Sequence, residues 1–176
     1  MQGNKGEWSE SYAALRIIGD RKIFVADRSG AMNPNEWMNV LALMRRETRE
    51  RLVSYRYDEN DVDVVIAVNE DPVYRLPASE FVSLADRLLT EINRNKSSSF
   101  VVTDELESAL RTVQVHSLKA KSDSKSDVTL SVLDPRSGVT RSEIGFSIKS
   151  ELGQPPTLFN TATASAPIYR LHSMTA

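Results

Sequence analysis

Residues 127–149 read Asp127-Val128-Thr129-Leu130-Ser131-Val132-Leu133-Asp134-Pro135-Arg136-Ser137-Gly138-Val139-Thr140-Arg141-Ser142-Glu143-Ile144-Gly145-Phe146-Ser147-Ile148-Lys149. Val128, Leu130 and Val132 alternate with Thr129 and Ser131, the period of a half-buried strand. Asp134 to Gly138 are turn formers, and Ile144, Phe146 and Ile148 then alternate with Gly145, Ser147 and Lys149. The pattern predicts a β-hairpin. Alternate side chains share a face of a strand, so Ser147 and Lys149 point together, away from the apolar stripe. Asp127 has the parity of Thr129 and Ser131, and an antiparallel return brings it close to Lys149 at one end of the hairpin.

An acid at a strand start, facing a lysine on the next strand, suits phosphodiester hydrolysis. The reaction requires an anionic transition state to be neutralised and a water to be oriented. Mg²⁺ held by one or two carboxylates does much of this, and a nearby lysine helps. Nucleases of the PD-(D/E)xK kind add a second carboxylate two residues before the lysine; here that position is Ser147. The acid must then come from Glu7, Glu10 or Glu151. Glu7 and Glu10 lie one helical turn apart beside Trp8 and share a face. A plainer reading stands next to each of these. Asp127 and Lys149 also fit a solvated cross-strand ion pair, and acids at a helix start are favoured by the dipole alone.

Outward from the hairpin, the chain reads as one domain of mixed α+β type, with no internal repeat. Trp8, Tyr12, Leu15 and Ile18 predict a helix over Glu7–Gly19, and Lys22–Asp27 a strand followed by a turn at Ser29-Gly30. Trp37, Leu41, Met44 and Leu52 sit at helical spacing, which predicts a long helix over Asn35–Tyr55 capped by Asn35. Val62–Val68 is strand-like, and Leu76-Pro77 reads as a break. Phe81, Leu84, Leu88 and Ile92 mark another helix, capped by Ser79. Ser99–Val102 is a short strand, and Thr103 opens a short helix to Val113. Lys119–Ser126 is rich in Lys and Ser. The expected architecture is a central mixed sheet flanked by the helices Glu7–Gly19, Asn35–Tyr55 and Phe81–Ile92.

Composition narrows the function classes. The chain has 176 residues, no cysteine and a formal net charge of −2. Disulfides, thiolate chemistry and Cys-ligated zinc are excluded, in keeping with a reducing cytoplasm. The charge argues against a generic nucleic-acid coat but leaves room for a local basic patch. The longest apolar run, Val62–Val68, is strand-sized and interrupted by Asp63, so no segment is expected to cross a bilayer. The polar start, Met1–Glu10, is unlike a signal peptide.

Three stretches resemble the HpaII-type restriction endonucleases. They are Gly3-Asn4-Lys5-Gly6-Glu7-Trp8-Ser9-Glu10; Lys125-Ser126-Asp127-Val128 with Asp134-Pro135 and Gly138; and Gly145-Phe146-Ser147-Ile148-Lys149-Ser150 with Leu152-Gly153, Pro156-Thr157-Leu158 and Asn160. Their order and spacing agree with the family over nearly the whole chain. The resemblance implies a restriction-endonuclease-like fold and Mg²⁺-dependent cleavage of duplex DNA at a short site, commonly CCGG. It implies Asp127 as a metal ligand, Lys149 as the catalytic lysine, and Ser147 where an acid often stands. The supporting carboxylate falls to Glu10 first, also as a metal ligand, and to Glu7 second. Gln154, Thr157 and Asn160 become candidate phosphate or base contacts, and Lys119, Lys121 and Lys125 a basic patch beside the cleavage site. The family also implies a cognate methyltransferase as a functional partner, and a homodimer is possible where a palindrome is cut on both strands. Family members are roughly twice this length, so the resemblance implies the front half of a longer architecture, and Ala166-Pro167 departs from the family's polar and aromatic pattern.

Other polar residues carry weaker expectations. His116 reads as a structural or exposed histidine at a strand edge, and His172 lies in the tail. Arg45, Arg46, Arg49 and Arg51, mixed with Glu47 and Glu50, read at helical spacing as a solvated salt-bridged face, with phosphate tracking as the second option. Two further functions compete with the nuclease: a truncated or inactive DNA-binding module that does not cut, and a structural domain without DNA affinity.

Overall fold

The computed structural model describes residues 1–58, 60, 62–118 and 126–150. Its elements in chain order are β1 (Gln2–Asn4), α1 (Lys5–Asp20), β2 (Lys22–Ala26), β3 (Met32–Thr48), β4 (Arg51–Tyr57), β5 (Asp63–Val68), β6 (Asp71–Pro77), α2 (Ala78–Arg94), β7 (Ser99–Val101), α3 (Asp104–Thr112), β8 (Val128–Leu133) and β9 (Thr140–Phe146). A seven-stranded sheet runs in the order β6-β5-β4-β3-β8-β9, with β2 also paired to β3. All of its described pairings are antiparallel. The expected α+β fold, a sheet flanked by helices, is what the chain adopts, with an antiparallel sheet among the described residues where a mixed one was expected.

The expected helix over Asn35–Tyr55 is absent. Those residues form β3 and β4, joined by a tight turn, with Leu43 opposite Tyr55 and Arg45 opposite Val53. The helical spacing of Trp37, Leu41 and Met44 was coincidental, for Leu41 is among the exposed large apolar side chains. The true inward positions of β3 run Leu43, Arg45, Glu47, and all three are buried. Two charged residues at inward positions break the apolar alternation that would announce a strand. The turn between them has neither Gly nor Pro to mark it. Two smaller corrections follow. Leu76-Pro77 ends a strand, β6, where proline is tolerated because the strand is an edge. The N-cap of α2 is Pro77 and makes no side-chain cap bond, so Ser79 is not the cap.

The helices cover the face that carries Leu43, Tyr55, Ile66 and Leu130. Tyr55 meets Phe81 of α2 edge-on, with ring centroids 6.0 Å apart, and its hydroxyl donates to the Val113 carbonyl. Trp8 is fully buried, stacks on Phe100 at 5.8 Å and donates its indole N–H to the Phe100 carbonyl. Burying one such ring contributes about 2 kcal/mol or more. That contact, together with the pairing of Gly3 with Phe100, docks the start of α1 on the β1–β7 ribbon. Gly3 packs closely there: a Cβ would collide with Leu118 Cδ1, so the Leu118 side chain would have to shift.

Candidate active site

The start of α1 is fixed by a capping box. Asn4 accepts from the Glu7 backbone N–H, and Glu7 accepts from that of Asn4, both at 2.9 Å. Glu7 is therefore a cap. Glu10, one turn further along, is half-buried and faces the end of the sheet where β8 begins.

Asp127 occupies the bend just before β8. Its backbone N–H donates to the Phe146 carbonyl at 2.9 Å, and its Oδ2 accepts the Ile148 N–H at 2.6 Å. The expected hairpin therefore stands, with Val128 opposite Phe146, but β9 ends at Phe146. Ile148 leaves the ladder to bind the Asp127 side chain instead. Ser147 and Lys149 follow β9 as exposed residues. Ser150 then donates from Oγ to Ser9 Oγ at 2.9 Å, which joins this segment to α1 beside Glu10. Three separate parts of the chain thus meet at one edge: the second turn of α1, the start of β8 and the exit of β9.

The electrostatics of Glu10 report this meeting. Its carboxyl is pushed up to about 7, by burial first and then by the charge of Asp127; Glu7 adds to the rise, while Arg45 and Lys149 oppose it. Two carboxylates with a lysine beside them make a hard, oxygen-only donor set of the kind Mg²⁺ accepts, with substrate phosphate and water completing its shell. Their mutual repulsion is what a divalent cation would relieve. Among the described residues no group of three or more His, Cys, Asp or Glu side chains gathers to hold a metal.

Other sequence-derived candidates are placed as follows. Lys119, Lys121, Lys125, Glu151, Gln154, Thr157, Asn160 and His172 lie outside the described residues. His116 is not in a strand; its imidazole is exposed and its backbone N–H donates to Glu47. Burial, then Arg51, holds its pKa below the usual histidine value. The arginine cluster is not a helical face. Arg45 and Glu47 point inward and are buried, Arg51 is partly covered, and Arg46 and Arg49 stand exposed at the β3–β4 turn. Arg45, whose charge reaches Glu10, was missed as part of the site. Reading residues 43, 45 and 47 with a period of two would have found it.

Among the described residues no helix is long and apolar enough to cross a membrane. The profile of the HpaII restriction endonuclease family matches residues 4–176. The Type II restriction enzyme HpaII of Haemophilus parainfluenzae is 31% identical over 174 residues, which is 99% of this chain and 48% of the relative. The chain spans about half the length of the curated relative it matches. No solved structure matches it.

Proposed function

The chain belongs to the HpaII restriction endonuclease family, and from that premise we propose that it carries the catalytic centre of a type II enzyme that hydrolyses phosphodiester bonds of duplex DNA with Mg²⁺. The observation that carries this reading is the convergence of Glu10, Asp127 and Lys149 at one edge of the sheet, with the Glu10 carboxyl pushed up by burial and then by the charge of Asp127.

Asp127 and Glu10 would hold the cation. The Ile148 N–H fixes one oxygen of Asp127 and with it the orientation of the carboxylate. Bound there, Mg²⁺ would supply Lewis acidity toward the scissile phosphate. Lys149, exposed and unconstrained by the ladder, can reach the phosphate to neutralise its charge and orient the attacking water. Arg46 adds a phosphate contact. It is exposed two residues beyond Met44, which pairs with Thr129, so it stands at the same end as Asp127. Lys119, Lys121 and Lys125, which precede Asp127 in sequence, and Gln154, Thr157 and Asn160, which follow the lysine, would add phosphate or base contacts. The site sequence is CCGG on this reading, the active form a homodimer acting in the cytoplasm, and the functional partner a methyltransferase that protects the same site.

Unmethylated plasmid incubated with the purified chain, with Mg²⁺ or with EDTA, tests this. Discrete fragments that require Mg²⁺ and end at CCGG are expected. An intact plasmid, from protein shown to be folded, would overturn cleavage by this chain. It would leave the second reading, a non-cutting DNA-binding module, which the serine at position 147 favours.

A further inference from the structure

The inward side of the β3–β4 hairpin carries a row of polar contacts to one short segment, residues 113–118. Tyr55 donates to the Val113 carbonyl at 2.8 Å, and Arg51 Nη2 to Gln114 Oε1 at 2.6 Å. Glu47 Oε1 accepts the backbone N–H groups of His116 and Ser117, at 2.8 and 3.1 Å, and its Oε2 accepts Arg51 Nε at 3.1 Å. Arg45 Nη2 donates to two successive carbonyls, Ser117 at 2.5 Å and Leu118 at 2.9 Å, while Nη1 meets Glu47 at 3.3 Å. The Arg45 and Glu47 side chains are only 5% and 2% exposed. Stability alone is a poor reason for such a pair, because well-packed apolar residues of similar volume often do as well or better.

What the pair fixes is the backbone of Leu118. The Leu118 side chain is itself buried and packs so closely on Gly3 that a Cβ there would displace it. Gly3 immediately precedes the N-cap of α1, the helix that carries Glu10. A continuous set of contacts therefore runs from β3, through Leu118, to the first turn of α1.

We propose that Arg45 is a positioning residue of the nuclease site: with Glu47 it pins the 116–118 backbone to β3 and, through Leu118 against Gly3, sets where α1 holds Glu10 relative to Asp127. The inference rests on the nuclease reading for its functional consequence, though not for its structural one. A guanidinium fork can hold two carbonyls at once, whereas an ammonium cannot reproduce that geometry. The charge of Arg45 is therefore not enough; its shape is used.

Two substitutions test this in the full chain. Arg45→Lys keeps the charge and loses the fork. The double variant Arg45→Met/Glu47→Met removes both buried charges together. Arg51, partly exposed, loses Glu47 but keeps Gln114, so no deeply buried ion is left unpaired and the variant serves where a single deletion does not fold. Three quantities are read: exchange protection of the Ser117 amide and of the Trp8 indole N–H, Mn²⁺ affinity by calorimetry, and kcat and KM for plasmid cleavage. Both variants are expected to exchange faster at Ser117 and at Trp8. Mn²⁺ should bind several-fold more weakly, and kcat should fall about tenfold or more with KM within twofold, as for other residues that orient metal ligands. Gly3→Ala, which leaves Arg45 intact, should reproduce the loss of kcat.

Variants that are folded yet keep wild-type Mn²⁺ affinity and kcat would overturn the proposal. So would exchange that quickens at Ser117 and leaves Trp8 unchanged, since the link to α1 would then be broken. A wild-type chain that neither binds Mn²⁺ nor cuts DNA would instead sink the nuclease reading. In that case the two exchange sites still decide whether the tether exists.

Discussion

The two ends of the sheet use carboxylates in opposite ways. At the far end, Asp27 and Asp134 close the β2–β3 and β8–β9 turns; Asp27 is exposed and Asp134 partly so. Asp27 accepts from the Ser29 hydroxyl and from the amides of Ser29 and Ala31; Asp134 accepts from the Arg136 amide and the Ser137 hydroxyl. These donors hold both carboxyls below the usual aspartate value. At the near end, Glu10 is half-buried and stands next to another acid, and its carboxyl rises to about 7. The same functional group is satisfied by its own turn at one end and left in mutual repulsion at the other. If the near end holds a cation, as proposed, that repulsion is what the cation would relieve.

The largest expected effect that would break this contrast is on cutting. Asp127→Ala and Lys149→Ala should each lower the cleavage rate by on the order of 10³-fold while circular dichroism and thermal unfolding stay close to wild type. Comparable cutting by either variant would place the chemistry elsewhere. Second comes the pH dependence of Glu10. Its folded value lies above its unfolded one, so its contribution is fully present below about 4.5 and is lost as pH rises through about 7. Glu10→Gln should therefore leave stability unchanged at pH 4. At pH 8.5 it should raise stability by on the order of 2 kcal/mol, once solvent screening of a half-buried group is counted. Mg²⁺ should stabilise the wild type at pH 8.5 and not the Gln variant. Denaturant titrations at the two pH values check both statements.

A smaller effect is expected at Arg46. Arg46→Ala should weaken DNA binding evenly across sequences and reduce the slope of log affinity against log salt by about 1. An unchanged slope would remove Arg46 from the phosphate surface. The smallest effect belongs to the far end. Asp134→Ala should lower the melting temperature slightly at neutral pH, the difference fading as pH falls through the depressed carboxyl value. Cutting should be untouched.

Much of this was legible in the chain because local patterns agree with tertiary structure where the site lies. The alternation Val128, Leu130, Val132 is the burial pattern of β8, and Trp8, Leu15 and Ile18 are the buried stripe of α1. Spacing alone put Asp127 near Lys149. The resemblance ranked Glu10 before Glu7, but only the fold shows the capping box in which Glu7 takes part. The β3–β4 hairpin was illegible for a definite reason. Its inward residues Arg45 and Glu47 are charged, and they are charged because they hold a neighbouring segment that no local pattern can reveal.

The hydrogen bond between Ser9 and Ser150 joins residues 141 positions apart, and Glu10 feels the charges of Asp127 and Lys149 across similar spans. During synthesis the first acid of the pair leaves the ribosome more than a hundred residues ahead of its partners. A contact of that sequence separation forms late in folding. The nascent chain therefore cannot bring Glu10, Asp127 and Lys149 together until residue 149 has emerged.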